Sequence, residues 1–328
     1  MLVANGRLQR FADEPDMNLT IVAGSGNPSL ADSIAERLGT RVCRSVLNRF
    51  PDSELHAEID ESVRGCDVYI VQPTGPPVDR HLMELLFLAD ACRRAGAARL
   101  TGIVPYFGYA RQDRRAKGRE AVGGRLIADL LGVARFERIV AVDLHTVSLE
   151  GFFSIPLEHL SAVSLLANAV EELVTDKSVI VAPDLGAVKL AESYGELLRR
   201  PIAIAHKTRL SGEEVRVRGI VGDVAGLMPI IVDDMISTGG TIEAAAAAMI
   251  AAGCLPEITV VASHALLVGS AIHRLSALPL KRIVVTDSLP TPEHGPLALQ
   301  VVSLAPMLAE TVSRLNIGES MTELLIHR

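Results

Sequence analysis

The chain has no tryptophan, and aromatic residues make up only 3% of it. Stacking platforms are therefore scarce, which makes Phe50, Tyr106, Phe107 and Tyr109 candidates to watch. Cysteine is equally sparse. Cys43, Cys66, Cys92 and Cys254 are scattered with no metal-ligand spacing, as reduced thiols in a cytoplasmic protein would be. No apolar run reaches the length needed to cross a membrane. The longest candidate, around 244–252, is an alanine-rich helix. Residues 1–17 carry charges throughout and lack the apolar core of a signal peptide, so they read as an extension outside the fold. Basic residues are outnumbered, 32 against 39 acidic, for a net charge of −7. With a pI near 5.7 this argues against nucleic acid as the main partner, and any phosphate site must be local.

What is present is length and apolar content. A chain of 328 residues, 49% hydrophobic, suggests two domains with a large core. Apolar runs predict strands over 19–23, 41–46, 67–72, 100–104 and 138–142, with helices over 30–38, 83–94 and 124–132. The rhythm then restarts. Helices are predicted over 162–172, 188–198, after 241 and over 271–275, and strands over 178–181, 202–205, 230–232, 258–262 and 282–286. Such alternation implies an α/β fold of parallel sheets flanked by helices. The halves look like two copies of one architecture joined near 155–162. We take 18–160 and 161–305 as the domains. The tail, 306–328, carries an amphipathic helix expected to pack back on the first half.

The stretch from Met228 to Thr241 organises the chain. Ile230–Val232 is a β-branched run fit for a strand buried on both faces. Asp233 and Asp234 follow, then Ser237, Thr238, Gly239, Gly240 and Thr241, then strong helix formers. Glycines let the backbone approach a ligand, and the N–H groups of the loop and first helical turn favour an anion such as a phosphate. Two carboxylates beside such a cradle would repel it unless they take a sugar diol or a hydrated Mg²⁺. A ribose 5-phosphate unit meets both requirements.

Other constellations are shorter. Phe50, Asp52, Ser53 and Glu54 form an aromatic and acidic turn that could meet a nucleotide, and alone reads as a solvated turn. Residues 106–115 gather three aromatics and three arginines around Gly108, and guanidinium groups bind phosphate and stack on rings. Asp143-Leu144-His145 and Pro183-Asp184-Leu185-Gly186 each end a predicted strand, where open parallel sheets place active sites. His145 and Asp184 could share Mg²⁺, and each alone reads equally as a hydrogen-bonded structural group. Lys207 and Arg209 follow a strand and read equally as an exposed surface pair.

Together these motifs resemble the ribose-phosphate pyrophosphokinase family over about residues 19–315, including Arg64–Pro73 and Leu82–Leu86. The 228–241 stretch resembles the phosphoribosyl-diphosphate loop shared with type I phosphoribosyltransferases. The resemblance implies two phosphoribosyltransferase-like domains, each a mainly parallel sheet flanked by helices. It also implies a dimer-based homo-oligomer, up to a hexamer, whose ATP site borrows residues across subunits. The substrates implied are ATP and ribose 5-phosphate, with Mg²⁺ and with neither nucleic acid nor membrane as partner. By motif position, Phe50, Asp52, Ser53, Glu54, Arg111 and Gln112 would contact ATP. His145 and Asp184 would hold the metal, and Lys207 and Arg209 would be catalytic cations. Ribose 5-phosphate would fall to Arg209, Asp233, Asp234, Ser237, Thr238, Gly239, Gly240 and Thr241. Ser53, Leu190, Thr208, Ser237 and the tail depart from the common bacterial pattern, which bears on phosphate activation and nucleotide inhibition. Two rivals stand beside diphosphoryl transfer. A phosphoribosyltransferase would explain 228–241 but not the motifs of the first half. A silent regulatory paralogue would keep the fold and lose the cations or acids, all of which are present here.

Overall fold

Runs such as Asp67–Val71, Ser178–Ala182 and Ile258–Ala265 are buried at every residue, the condition of a strand covered by helices on both faces. The computed structural model describes residues 18–209, 215–291 and 295–325, without the side chains of 206–209 and 215–218. The expected extension over 1–17, the turn over 210–214 and the side chains of Lys207 and Arg209 lie outside the described residues.

The first half runs β1 (Leu19–Ala23), α1 (Pro28–Arg37), β2 (Val42–Cys43), β3 (Ser45–Arg49), β4 (Leu55–Ile59), β5 (Asp67–Val71), α2 (Val78–Arg94), β6 (Arg99–Val104), α3 (Gly123–Val133), β7 (Arg138–Val142) and β8 (Leu157–Leu160). Its sheet has the order β2-β1-β5-β6-β7-β8 and is parallel throughout. The second half runs α4 (Val163–Val170), β9 (Ser178–Ala182), α5 (Val188–Leu198), β10 (Ile202–Arg209), β11 (Val215–Val221), β12 (Met228–Ile236), α6 (Gly240–Ala251), β13 (Ile258–Ala265), α7 (Ala271–Ser276), β14 (Leu280–Thr286), β15 (Leu299–Val302) and α8 (Ala305–Ile317). Its order is β11-β10-β9-β12-β13-β14-β15, parallel except for the β10–β11 pair.

Several elements differ from the sequence reading. The strand expected over 41–46 breaks at Arg44. The Glu61 carboxylate accepts from the Arg44 N–H at 2.9 Å, and the Asp60 N–H donates to the Arg44 carbonyl at 3.0 Å. These bonds take Arg44 out of the sheet, so β2 pairs with β1 while β3 leaves to form a hairpin with β4. The segment read as the join, 155–162, contains the edge strand β8. The strands β4, β8, β11 and β15, unforeseen, lie in the hairpin or at or near sheet edges and mix polar with apolar residues. Both β10 and β12 run past their expected ends, so Lys207, Arg209, Asp233 and Asp234 sit on strands rather than after them.

One core layer is shared. Ile21, Tyr69 and Val140 of the first sheet and Ile180, Val232 and Val284 of the second belong to one buried cluster, with apolar faces of α1, α4, α5 and α8 between them. The outer face of the first sheet is covered by α2 and α3, and that of the second by α6 and α7. The last helix, α8, returns against α1. There the Asn316 amide donates to Asp67 Oδ2 at 3.0 Å and the Arg99 guanidinium donates to the Asn316 carbonyl at 3.2 Å. The two sheets are thereby fastened, with the carboxyl ends of β7, β9 and β12 supplying His145, Asp184 and the acidic pair.

Candidate active site

The acidic pair is placed by the ladder between β12 and β13, which stays in register from Ile230↔Thr259 to Ile236↔Ala265 and sets Asp233 opposite Ala262 and Met235 opposite His264. Although successive strand residues face opposite ways, the two carboxylates stay within hydrogen-bond reach of each other. Asp234 Oδ2 accepts from His145 Nδ1 at 2.7 Å, across 89 residues of sequence and from the other sheet. Asp233 Oδ1 accepts from the Asp234 N–H at 3.0 Å.

Charge is divided unevenly over this cluster. Burial first, then the carboxylates of Asp234 and Asp184, push Asp233 well above the usual range, so it favours the neutral acid. Burial also pushes Asp234 up, but the hydrogen bond and charge of His145 outweigh it and hold Asp234 ionised below the ordinary value. The same hydrogen bond raises His145. The charge of Asp184 is felt at Asp233 while His145 binds Asp234, so both predicted metal residues lie near the acidic pair.

Ser237 to Gly240 close the strand and open α6. Gly239 has φ of 76°, the left-handed region that glycine enters without strain. Among the described residues no side chain caps α6, and the N-terminal end of a helix favours an anion. The loop is braced from behind, where the Val268 N–H donates to the Ser237 carbonyl at 3.1 Å. Arg274 flanks it. A Cβ at Gly240 would lie 3.3 Å from Arg274 Nη1, and that nitrogen donates to Glu243 at 3.0 Å.

Asp184 follows β9 and uses Oδ1 to accept from the N–H groups of Gly186 at 2.9 Å and Ala187 at 3.3 Å. Arg111 and Gln112 are exposed, and the Arg111 charge is felt at His145, so this loop borders the same site. Phe107, flagged as a ring to watch, packs in the core, 5.6 Å from the Phe153 ring. The turn at 50–54 is the exposed tip of the β3–β4 hairpin. Phe50 meets only the His56 edge among ring contacts of described residues, and Asp52 accepts from the Glu54 N–H at 3.0 Å. Ser53 holds φ of 77°, in the left-handed region that glycine enters more readily than serine. Among the described residues no hydrogen bond or ion pair joins 50–54 to the rest of the site. For Lys207 and Arg209 the structure gives the backbone alone, on β10.

Three groups escaped the sequence reading. Asp143, quoted only as the neighbour of His145, has φ of 38° and a buried carboxylate that accepts from Ser263 Oγ at 2.5 Å and the Ala162 N–H at 3.1 Å. His264 is buried between the sheets. Arg274 lay in a helix with no motif around it; nothing in the sequence pointed to the phosphate loop.

The geometry has counterparts. The model of the N-terminal domain of ribose phosphate pyrophosphokinase matches residues 19–134, and that of the phosphoribosyl synthetase-associated domain matches residues 214–326. The ribose-phosphate pyrophosphokinase of Caldanaerobacter subterraneus subsp. tengcongensis is 42% identical over 309 residues, covering 94% of this chain and 98% of its own. That of Bacillus subtilis is 40% identical over 310 residues, with the same two shares. The crystal structure of phosphoribosylpyrophosphate synthetase from Mycobacterium smegmatis superposes with a TM-score of 0.85 at 40% identity, over 91% of this chain and 98% of that one. With two largely parallel sheets meeting at one cluster of acids, a histidine and a glycine-containing loop, and with relatives about 40% identical over 94% of its length, the chain belongs to the ribose-phosphate pyrophosphokinase family.

Proposed function

We infer that the protein is a ribose-phosphate diphosphokinase. It transfers the β,γ-diphosphoryl group of ATP to the C1 hydroxyl of ribose 5-phosphate, giving 5-phosphoribosyl 1-diphosphate and AMP. The carrying observation is the 2.7 Å bond between His145 and Asp234, which closes a nucleotide-side residue of one sheet onto a ribose-side acid of the other.

We assign the residue roles as follows, in keeping with that geometry where it is described. The Ser237–Thr241 loop takes the 5-phosphate on backbone N–H groups and hydroxyls. Asp233 and Asp234 take the ribose hydroxyls. Arg111 and Gln112 border the triphosphate. The exposed, unattached hairpin tip with Phe50, Asp52, Ser53 and Glu54 suits donation to the nucleotide site of a neighbouring copy, hence a dimer-based homo-oligomer. Lys207 and Arg209 on β10 neutralise the transferring group, with Arg209 also toward ribose 5-phosphate. Catalysis is then mostly positioning and charge neutralisation.

The family is of a kinase type that works with a metal, and we propose Mg²⁺. His145 gives Nδ1–H to a carboxylate, the arrangement that orients a metal-binding imidazole through its other nitrogen. Among the described residues no three His, Cys, Asp or Glu side chains form a cage. A hard ion that arrives on phosphate oxygens and takes only His145 and Asp184 from the protein fits this donor set. Bound there, Mg²⁺ would offset the charge of the triphosphate.

The deciding experiment mixes protein, ATP, Mg²⁺ and ribose 5-phosphate and follows AMP and phosphoribosyl diphosphate by chromatography. Binding of both substrates without AMP would leave a silent paralogue. Release of diphosphate from phosphoribosyl diphosphate and a nucleobase would instead mark a phosphoribosyltransferase.

A further inference from the structure

The site residues leave one buried polar group unexplained. His264, on β13, is 2% exposed and lies in the seam between the two sheets. Its Nε2 is 3.1 Å from the Val142 carbonyl and 3.2 Å from the Asp143 carbonyl, both at the end of β7. Carbonyls only accept, so Nε2 carries the proton and donates to both. Its Nδ1, 2.9 Å from Ser288 Oγ, then accepts from that hydroxyl. Burial lowers its pKa, in keeping with a neutral ring. The Tyr106 ring meets it edge-on at 5.0 Å and leaves it little room to turn.

The backbone it grips is strained. Asp143 holds a positive φ that a residue with a side chain seldom adopts, and such a conformation persists only where the surroundings over-determine it. Here they do. Ser263, the neighbour of His264, donates to the Asp143 carboxylate at 2.5 Å, and Ser161 Oγ and the Ala162 N–H donate to it as well. Two residues beyond Asp143 is His145. On its other side, β13 carries β12 in register, with Met235 opposite His264 and Asp234 just before it. One strand therefore holds both halves of the His145–Asp234 contact, although they come from different domains.

We propose that His264 is a positioning residue: by gripping the Val142–Asp143 backbone across the seam, it sets the His145 ring against Asp234 and so aims the remaining His145 nitrogen into the site. This rests on the metal-holding role inferred for His145. Its effect belongs on turnover and metal use, since His264 touches neither the phosphate loop nor the hairpin among the contacts described.

The test compares His264→Leu, which keeps bulk without a donor, with His264→Gln, whose amide can donate near the Nε2 position. In the folded Leu variant, kcat should fall about 10- to 100-fold and the Mg²⁺ needed for half activity should rise, with KM for ribose 5-phosphate within about threefold. The Gln variant should recover most of the loss. A readout without turnover is the downfield proton resonance of His145 Nδ1–H, identified by its loss in His145→Ala. It should survive in the wild type and the Gln variant and vanish in the Leu variant. Equal losses in Leu and Gln, or an intact resonance in Leu, would overturn the proposal. Should the Leu variant not fold, Ser263→Ala removes the adjacent grip, and unchanged kcat and Mg²⁺ requirement there would overturn it too. If the wild type itself makes no AMP, the inferred activity fails, while the resonance comparison still judges the role of His264.

Discussion

His145 Nδ1 and Asp234 Oδ2 stand 2.7 Å apart, although one side chain leaves the first sheet and the other the second. The bond does two things at once. It fixes the imidazole plane, and it keeps Asp234 ionised despite burial. Asp234→Asn should therefore damage metal use and ribose binding together. We expect kcat to fall roughly 10- to 100-fold, as when the carboxylate behind a metal-binding histidine is lost. KM for ribose 5-phosphate should rise as well. Steady-state kinetics at saturating Mg²⁺ check this, and a change in one parameter alone would separate the two roles.

Asp184→Asn tests the metal from the other side. The asparagine oxygen can still accept from the N–H groups of Gly186 and Ala187, so the turn after β9 should keep its shape. What is lost is the charge. The Mg²⁺ concentration for half activity should rise at least tenfold while the thermal midpoint moves little. An unchanged Mg²⁺ titration would remove Asp184 from the metal.

Acid stability should depend on Glu84. Its carboxylate is 1% exposed, and burial alone would raise it. Ser25 Oγ at 2.5 Å, Arg80 Nε at 2.9 Å and the Ser25 N–H at 3.2 Å together hold it below the usual glutamate range. A depressed folded value means that the stabilisation is present above the unfolded value and is lost as pH falls through the folded one. Glu84→Gln should cost about 2 kcal/mol at pH 7, as for hydrogen bonds to a buried charge. The difference should shrink as pH drops below the ordinary glutamate value. Urea unfolding of both proteins across that range measures it.

Lys207→Ala should act on turnover. Lys207 and Arg209 lie two residues apart on β10. A cation aimed at a group that gains charge in the transition state should be worth about 3–4 kcal/mol, on the order of a hundred- to a thousand-fold in kcat. Calorimetry of ATP and ribose 5-phosphate beside steady-state rates decides it. Collapsed binding with surviving turnover would make Lys207 a ground-state anchor instead.

The central strands and the turn into α6 were legible because local chemistry dictates them. Ile230–Val232 can only be a covered strand, and Gly239 supplies the left-handed turn that no β-branched residue tolerates. The edge strands were not legible, since β8 and β15 owe their form to a neighbour's ladder rather than to an apolar run. The same limit hid His264 and Ser263. Their partners lie more than a hundred residues away, and no spacing rule connects them. His145 and Asp234 could each be named from the sequence, whereas their pairing emerged only when the two sheets met.

Arg274 bears on the loop to which we assign the phosphate. Its guanidinium lies by Gly240 and is held by Glu243 at 3.0 Å and by Ser270 Oγ at 2.9 Å. Glu243, in the first turn of α6, answers the positive helix end, and Arg274 in turn offsets its charge where a phosphate must enter. With a phosphate bound, the guanidinium has a second anion within reach. Arg274→Met keeps the stem and removes the charge. We expect KM for ribose 5-phosphate to rise roughly three- to fivefold, about 0.7–1 kcal/mol for a partly exposed charge at a helix terminus, with kcat nearly unchanged. Glu243→Gln should act in the opposite direction, because it leaves Arg274 uncompensated beside the loop. The effect of each should fade in high salt, which screens exposed charges over about 10 Å at 0.1 M and less as salt rises. A loss in Arg274→Met that persists at high salt would mean that the residue braces the loop by packing rather than by its field.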